Sequence, residues 1–430
     1  MFRKRANQSF NLTTSRVQDR PLTTIQSNRL RSVLGSGELA IHFQPIVSLK
    51  QKRMIGLEAL ARPEGMDVGR PFALAQATGC LLDFDRLCRQ TALVGYAELL
   101  TGVETSASPL LFLNFEASVI DDGAVGSGAL REATRSAGVD PTNVVLEINE
   151  SRVRNDHALR RFVEDHRQHG FLIALDDLGA GHSNLARIAE LRPQIIKLDR
   201  SLISGLDRDF VQQETVKSLA RLGHSIGALV LAEGVETLEE VNACAVHGID
   251  LFQGFVFSRP RPAEQLSLEP QAQDPLLHAA ARDLRAQAVR RLQERRGISR
   301  QLENLAAQGR QALMDHTADQ FERVLASLVE QTSAVEAVYL LDHQGQQLGR
   351  THLGTQSEVV PNRLFAPSSH GTDHSCKDYF FSLMDTGMEL FTTDSYISLA
   401  TGNVCRTVSI AVNHSEGSTY VLCLDINTQH

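Results

Sequence analysis

Nowhere in the 430-residue sequence is there an apolar run near the roughly 18 residues that a membrane-spanning helix needs, so no membrane span is expected. The opening MFRKRANQSFNLTTS is basic but lacks the apolar core of a signal peptide. Cysteines stand at 80, 88, 244, 376, 405 and 423 and form neither a CxxC pair nor a disulfide framework. That usage suits a reducing, cytoplasmic setting in which thiols serve as small buried apolar groups. Basic charge is in deficit, with 43 Lys and Arg against 51 Asp and Glu, a formal net charge of −8. Such a balance argues against a nonspecific grip on duplex nucleic acid, which depends on a basic surface. A small anionic ligand held by local cations stays open.

What is present is ordinary in bulk and regular in order. Hydrophobic residues make up 42% and charged residues 22%, as in a soluble globular chain long enough for a barrel plus a smaller unit. Residues 1–26 read as a flexible polar lead, and Asn28–Leu34 as a short helix. Leu39–Val47 reads as a strand with a proline break, Met54–Leu60 as a second strand, and 72–100 as helical. Strand-like runs then alternate with helical ones: LLFLN at 110, VVLEI at 144, Phe171–Asp176, QIIKL at 194, ALVLA at 228 and Ile249–Phe252. About eight strands alternating with helices predict a (β/α)8 TIM-like barrel of class α/β. The pattern alone also admits a doubly wound sheet, but no glycine-rich dinucleotide fingerprint follows the first strand.

Chemistry-bearing residues cluster in one topological place. The segment IALDDLGAGHSNL, residues 173–185, is an apolar run that ends in adjacent Asp176 and Asp177 before glycines. Two carboxylates together repel unless a cation neutralises them, and hard divalent cations prefer carboxylate oxygen. The alternative is a helix-capping Asp177 beside a solvated Asp176. Glu58, Asn114, Glu147, Asp176, Lys197, Glu233 and Gln253 each lie at or near the end of a predicted strand, where barrel strands converge on the active face.

These residues also carry a resemblance. Glu58-Ala59-Leu60 with Arg62, preceded by Gln44-Pro45-Ile46-Val47, is similar to the signature of EAL-domain cyclic-di-GMP phosphodiesterases. Later blocks agree in order: Glu147-Ile148-Asn149-Glu150, Asp176-Asp177-Leu178-Gly179-Ala180-Gly181, Ile196-Lys197-Leu198-Asp199, Ala232-Glu233-Gly234-Val235-Glu236-Thr237, and Gln253-Gly254 with Ser258-Arg259-Pro260. The resemblance implies a variant barrel over residues 27–265 that hydrolyses cyclic di-GMP to linear pGpG with two Mg2+ or Mn2+ ions, calcium being inhibitory. It implies that Glu58, Asn114, Glu147 and Asp176 hold one ion and that Asp176 and Asp177 approach the second. Lys197 is expected to orient water or stabilise developing charge, and Glu233 to accept a proton or complete a metal shell. Arg62 offers a planar fork to phosphate. Gln44, Leu60, Asp85 and Gln253 are candidate substrate contacts, and Glu150 and Glu236 candidate supports of the loop after Asp177. The sequence departs from the family pattern at Leu178, His182, Asn184 and Glu116, none of them a metal-ligand position. No GGDEF signature occurs, so no linked cyclase is expected. A catalytically weak or inactive cyclic-di-GMP receptor is the alternative function.

Composition shifts after Pro262. Residues 266–309 read as a linker and long helix, rich in Ala, Leu, Gln, Arg and Glu. Residues 310–430 then mix β-like runs with a helix at 376–386. Lys377-Asp378-Tyr379-Phe380, Tyr396-Ile397-Ser398 and Thr401-Gly402 resemble PAS- or Cache-like sensor domains. That resemblance implies a sensory or dimerising unit, a homodimer and an unidentified signal. The stretch SHGTDHSC, with His370, His374 and Cys376, reads as a solvated loop ahead of a metal site. Arg406 reads as a partner for an anion or for Asp394.

Overall fold

Alternation along each strand sets the inner wall of the N-terminal unit. The computed structural model describes residues 24–427 apart from 67–70, 102–107, 121–125, 127, 150–152, 181–184, 267, 269–274, 331–333, 355–364 and 416. Its contacts divide the chain into two units, Met1–Ala288 and Val289–His430. In the first, eight strands close on themselves: β1 (Ala40–Ser48), β2 (Arg53–Arg62), β3 (Leu110–Phe115), β4 (Val144–Ile148), β5 (Leu172–Leu178), β6 (Ile195–Leu198), β7 (Leu229–Ala232) and β8 (Leu251–Phe252). A two-residue strand, β9 (Arg261–Pro262), adds to β1. From β2 to β8 neighbouring strands run parallel. The (β/α)8 TIM-like class read from the sequence is the class observed.

The strict alternation of strand and helix fails at one place. β1 and β2 form an antiparallel hairpin with no helix between them, and β1 is also antiparallel to β8. Four residues, 49–52, make the turn, and Lys52 takes a positive φ of 51° there. Pro45 lies within β1 without ending it; the register instead shifts between Ile46 and Val47.

Two apolar layers hold the barrel. Outward-facing strand residues such as Leu111, Leu113, Leu146, Ile173 and Ile196 pack with the surrounding helices. The inward residues Ile46, Phe112, Val145, Ala174, Ile195, Leu231 and Leu251 fill the interior as a plug. Gly56 has no Cβ because that atom would enter the Phe112 ring. The helices between strands begin on side-chain caps where sequence supplies them. Asn155 accepts from Ala158 N, Asp209 from Gln212 N, and Thr237 forms a capping box with Glu240.

A helix from Pro275 to Met314 is continuous. Leu277 and Ala280 on its early turns belong to the barrel core, and Asn242 Nδ2 donates to Asp283 Oδ2 at 2.7 Å. Its last turns bring Leu305, Ala306 and Leu313 into the core of the second unit, with the helix Phe321–Glu330.

That second unit is an antiparallel sheet: β10 (Val335–Leu341), β11 (Gln347–Leu353), β12 (Leu390–Thr392), β13 (Tyr396–Ile397), β14 (Val404–Asn413) and β15 (Thr419–Asn427), in the order β11-β10-β15-β14-β12 with β13 beside β14. β12 and β13 are separated by a short break, and Thr393 N within it still donates to Thr407 O at 3.0 Å. Val338, Leu340, Leu422, Leu424 and Val408 face the helices named above. The opposite parity, Tyr339, Leu341, Val421 and Cys423, faces the helix Asp378–Met384.

Gly254, next to Gln253, is a close-packing point: an added Cβ would overlap the backbone of Val235. Gly254→Ala is expected to cost about 2 kcal/mol or more, seen as a lower urea midpoint with an unchanged slope. A midpoint equal to that of the unsubstituted protein would show that this packing tolerates a methyl group.

Candidate active site

Eight of the candidate residues stand two positions from the level of the apolar plug, on the same inward parity. Phe112 leads to Asn114, Val145 to Glu147, Ala174 to Asp176, Ile195 to Lys197, Leu231 to Glu233 and Leu251 to Gln253. On β2, Gly56 leads to Glu58. On the reversed strand β1 the step runs backward, from Ile46 to Gln44, and Gln44 sits opposite Glu58 in the pairing register. A period of two therefore brings eight polar side chains to one end of the barrel.

Lys197 is their centre. Its Nζ lies 2.6 Å from Glu147 Oε1, 2.9 Å from Asp176 Oδ1, 2.5 Å from Glu233 Oε1 and 4.0 Å from Glu58 Oε1. The side chain is 1% exposed. Burial alone would lower its pKa, but the charges of Asp176, Glu147, Glu233 and Glu58 reverse that and hold it well above the usual lysine value. One ammonium cannot balance four carboxylates. Burial first, and then the charge of Glu58, raises the Glu147 carboxyl well above the ordinary range. Glu233 is pushed up to about 8, chiefly by burial.

Hydrogen bonds fix the ring of polar side chains around that centre. Asn114 Nδ2 donates to Glu58 Oε1 at 2.8 Å. Gln253 Nε2 donates to Glu58 Oε2 at 2.5 Å and to Gln44 Oε1 at 3.2 Å, and Gln44 Nε2 donates to Ser258 O at 3.0 Å. Neighbouring strand residues normally point to opposite faces, yet Asp176 and Asp177 share this end. The β5–β6 register shifts between Leu175 and Leu178, and Asp177 adopts a positive φ of 58°. Burial and the adjacent Asp176 raise the Asp177 carboxyl, while Asn149 Nδ2 donates to its Oδ2 at 2.6 Å.

The donor set fits divalent cations. Asp176, Asp177 and Glu233 each offer an oxygen within 4.8 Å of the others. Glu147 Oε2 is buried and has no hydrogen-bond partner among the described residues. Every ligand atom offered is oxygen, the choice of hard ions. A cleft of about 300 Å3, lined by Leu60, Arg62, Asn114, Glu147, Asp176 and Asp177, opens beside this set. Asp176 also borders a smaller cleft of about 170 Å3 with Gln44, Glu58, Lys197, Glu233 and Gln253.

One described candidate, Asp85, lies away from these clefts. Asp85 is 1% exposed within the helix Leu81–Leu99 and does not line the cleft; it pairs with Arg89 and accepts from Glu116 N at 3.2 Å. Arg89 does line the cleft, and its guanidinium lies 4.5 Å from the Phe115 ring centroid. Glu236 sits at the rim and pairs with Arg200 at 2.7 Å. Glu150 lies outside the described residues, as do His182 and Asn184. Sequence reasoning left Arg89, Asn149 and Arg200 without roles. Asn149, two residues beyond Glu147, was open to the same period-two argument.

Removing the central cation tests this electrostatic account. Lys197→Met is expected to destabilise the chelator-treated protein by about 3–5 kcal/mol, because buried carboxylates lose their counter-charge. Manganese should recover part of that loss in a urea titration. Midpoints that do not respond to manganese would overturn the charge-balance reading.

The chain is 32% identical over 251 residues to the bifunctional diguanylate cyclase/cyclic di-GMP phosphodiesterase MucR of Pseudomonas aeruginosa, covering 55% of this chain and 35% of that protein. It is 30% identical over 251 residues to the cyclic di-GMP phosphodiesterase NbdA of the same organism, covering 55% and 31%. The chain thus spans about a third of the length of these relatives. The Bacillus subtilis YkuI protein, with an EAL domain and solved with substrate c-di-GMP and calcium, superposes at a TM-score of 0.74 over 93% of this chain and 99% of its own, at 21% identity. That likeness speaks to the fold. The PaMucR phosphodiesterase in its c-di-GMP complex superposes at 0.51 with 29% identity over 56% of this chain and 98% of its own. The EAL domain family matches residues 27–260, more than half of the sequence, and the chain belongs to that family.

Proposed function

We propose that this chain hydrolyses one phosphodiester bond of cyclic di-GMP to give linear pGpG, using two divalent ions, magnesium or manganese. The observation that carries the proposal is the surplus of strand-end carboxylates around Lys197, with Glu147 Oε2 left without a donor among the described residues. Glu58, Asn114, Glu147 and Asp176 would hold one ion, and Asp176, Asp177 and Glu233 the other. When bound, such ions supply Lewis acidity to the phosphate and lower the pKa of water.

The chain's own residues supply the rest. Hydrolysis joins a water oxygen to phosphorus, breaks the bond to one ribose oxygen and leaves a proton on that oxygen. Lys197 holds positive charge next to the place where the phosphate gains negative charge. Glu233, 2.5 Å from Lys197 Nζ, would take the proton from the attacking water. Arg62, whose Nη1 donates to Ala61 O at 3.0 Å, presents its remaining donors to a phosphate in the cleft. Gln253 and Gln44 hold Glu58 in place, and Leu60 supplies an apolar wall. Arg89, fixed by Asp85, adds a second guanidinium to that wall.

The proposal extends to the C-terminal unit as a sensory or dimerising module of PAS- or Cache-like type that regulates turnover. Its antiparallel sheet, flanked by helices, supports that reading. A homodimer belongs to the same proposal. So does a cytoplasmic location, supported by six unpaired thiols. Among the described residues, no helix is long and apolar enough to cross a membrane.

The test is chromatography of pGpG formed by the purified protein with magnesium, then manganese, with chelator as control. Product that chelator abolishes is expected. Glu58→Ala should keep the fold by circular dichroism and lose about 100-fold or more in turnover. Unchanged turnover in that variant would refute the site. Nucleotide binding without product would move the assignment to a cyclic-di-GMP receptor.

A further inference from the structure

The C-terminal unit contains a cavity of about 590 Å3 on the sheet face opposite its long helix. Asp425 lies on this face, on the same parity of β15 as Cys423 and Val421, and is only 3% exposed. Among the described residues, its carboxylate is held by hydroxyls. Thr407 Oγ1 donates to Oδ1 at 2.7 Å, Tyr396 OH to Oδ1 at 3.4 Å and Ser398 Oγ to Oδ2 at 3.4 Å. Among the described residues, no Lys, Arg or His forms an ion pair with Asp425. Removing an unpaired carboxylate from water is costly, and hydroxyls recover only part of that cost. Burial accordingly pushes this carboxyl up to about 6, against the pull of the hydroxyls.

The surroundings have the complementary character. Three tyrosine rings line the cavity, Tyr339, Tyr379 and Tyr396. Aromatic rings beside a carboxylate attract an organic cation. His374 does not fill that role. Its Nδ1 is bonded to the Tyr379 hydroxyl at 2.7 Å and its Nε2 to Gln347 Oε1 at 3.2 Å, and burial lowers its pKa and keeps it neutral. Asp378 and Asp394 stand at the exposed rim with Lys377, so carboxylates outnumber ammonium groups three to one around the cavity. Exposed Ile397 and Leu399 border the same opening, 55% exposed each.

We propose that this cavity is a binding site for a small organic cation carrying a primary ammonium, which seats on Asp425 among the three tyrosines. The ammonium supplies the donors that Oδ2, with one 3.4 Å contact, has room to accept. A hydrocarbon body fits the aromatic walls. This proposal stands apart from the barrel's chemistry.

The test is calorimetric titration of the full-length protein at neutral pH with phenethylammonium chloride and with its neutral isostere 2-phenylethanol. Saturable binding of the ammonium is expected below about 10 mM, with the alcohol weaker by about tenfold or more. Asp425→Asn should abolish the difference between the two. Glu147→Gln, in the barrel, should leave ammonium binding intact, which separates this cavity from the other acidic site. Equal binding of alcohol and ammonium, loss of binding in Glu147→Gln, or no saturable ammonium binding would each overturn the proposal. The comparison of the two ligands on the unsubstituted protein holds even if Asp425→Asn fails to fold.

Discussion

A single buried ammonium facing four carboxylates is the constraint from which the architecture of the barrel end follows. Lys197 can reach Glu58, Glu147, Asp176 and Glu233 only because four strands deliver those side chains to one level. The apolar plug beneath fixes that level. It excludes water from the interior, so each inward residue above it meets the same boundary between a dry core and an open cleft. Negative charge left uncompensated at that boundary is unfavourable for the apo fold and favourable for cation capture. Stability and chemistry here draw on the same atoms.

The reversed first strand shows how strongly parity governs the site. A strand running the other way would be expected to present its polar residue at the wrong end. β1 instead places Gln44 on the near side of Ile46, in register with Glu58. The Gln44–Gln253 contact then closes the ring between the first and last strands. At β5 the solution differs. Parity would turn Asp177 away, and a register shift with positive φ recovers it. A strained residue is retained where two adjacent carboxylates must point the same way.

Much of this was legible in the sequence. Apolar runs ending in Glu, Asn, Asp or Lys marked the strands and the ends that bear chemistry, because burial on both faces makes barrel strands continuously apolar. The two first strands were legible in succession with no helix between them, but their antiparallel pairing was not, since a strand-like run does not report the direction of its partner. Asp85 had the right residue type near the right motif. Its fate as a buried partner of Arg89 depends on helix packing, which no local pattern reports. His374 was read within a solvated loop. It is 8% exposed, because Tyr379 and Gln347, distant in different degrees along the chain, satisfy both ring nitrogens. Arg406 bonds Ser395 at 3.1 Å rather than Asp394, a choice made by strand pairing.

The helix Pro275–Met314 bears on where modules end. The family match stops at 260, yet Leu277 is fully buried in the barrel core and Ala280 is 2% exposed. A truncation drawn at the edge of the match would strip an apolar groove of its cover and leave Asn242 without Asp283. The exchangeable cassette in this architecture closes partway along a helix instead of in a loop. Fusions that keep this helix at least through Asp283 are the ones that retain the barrel's apolar cover and the Asn242 contact.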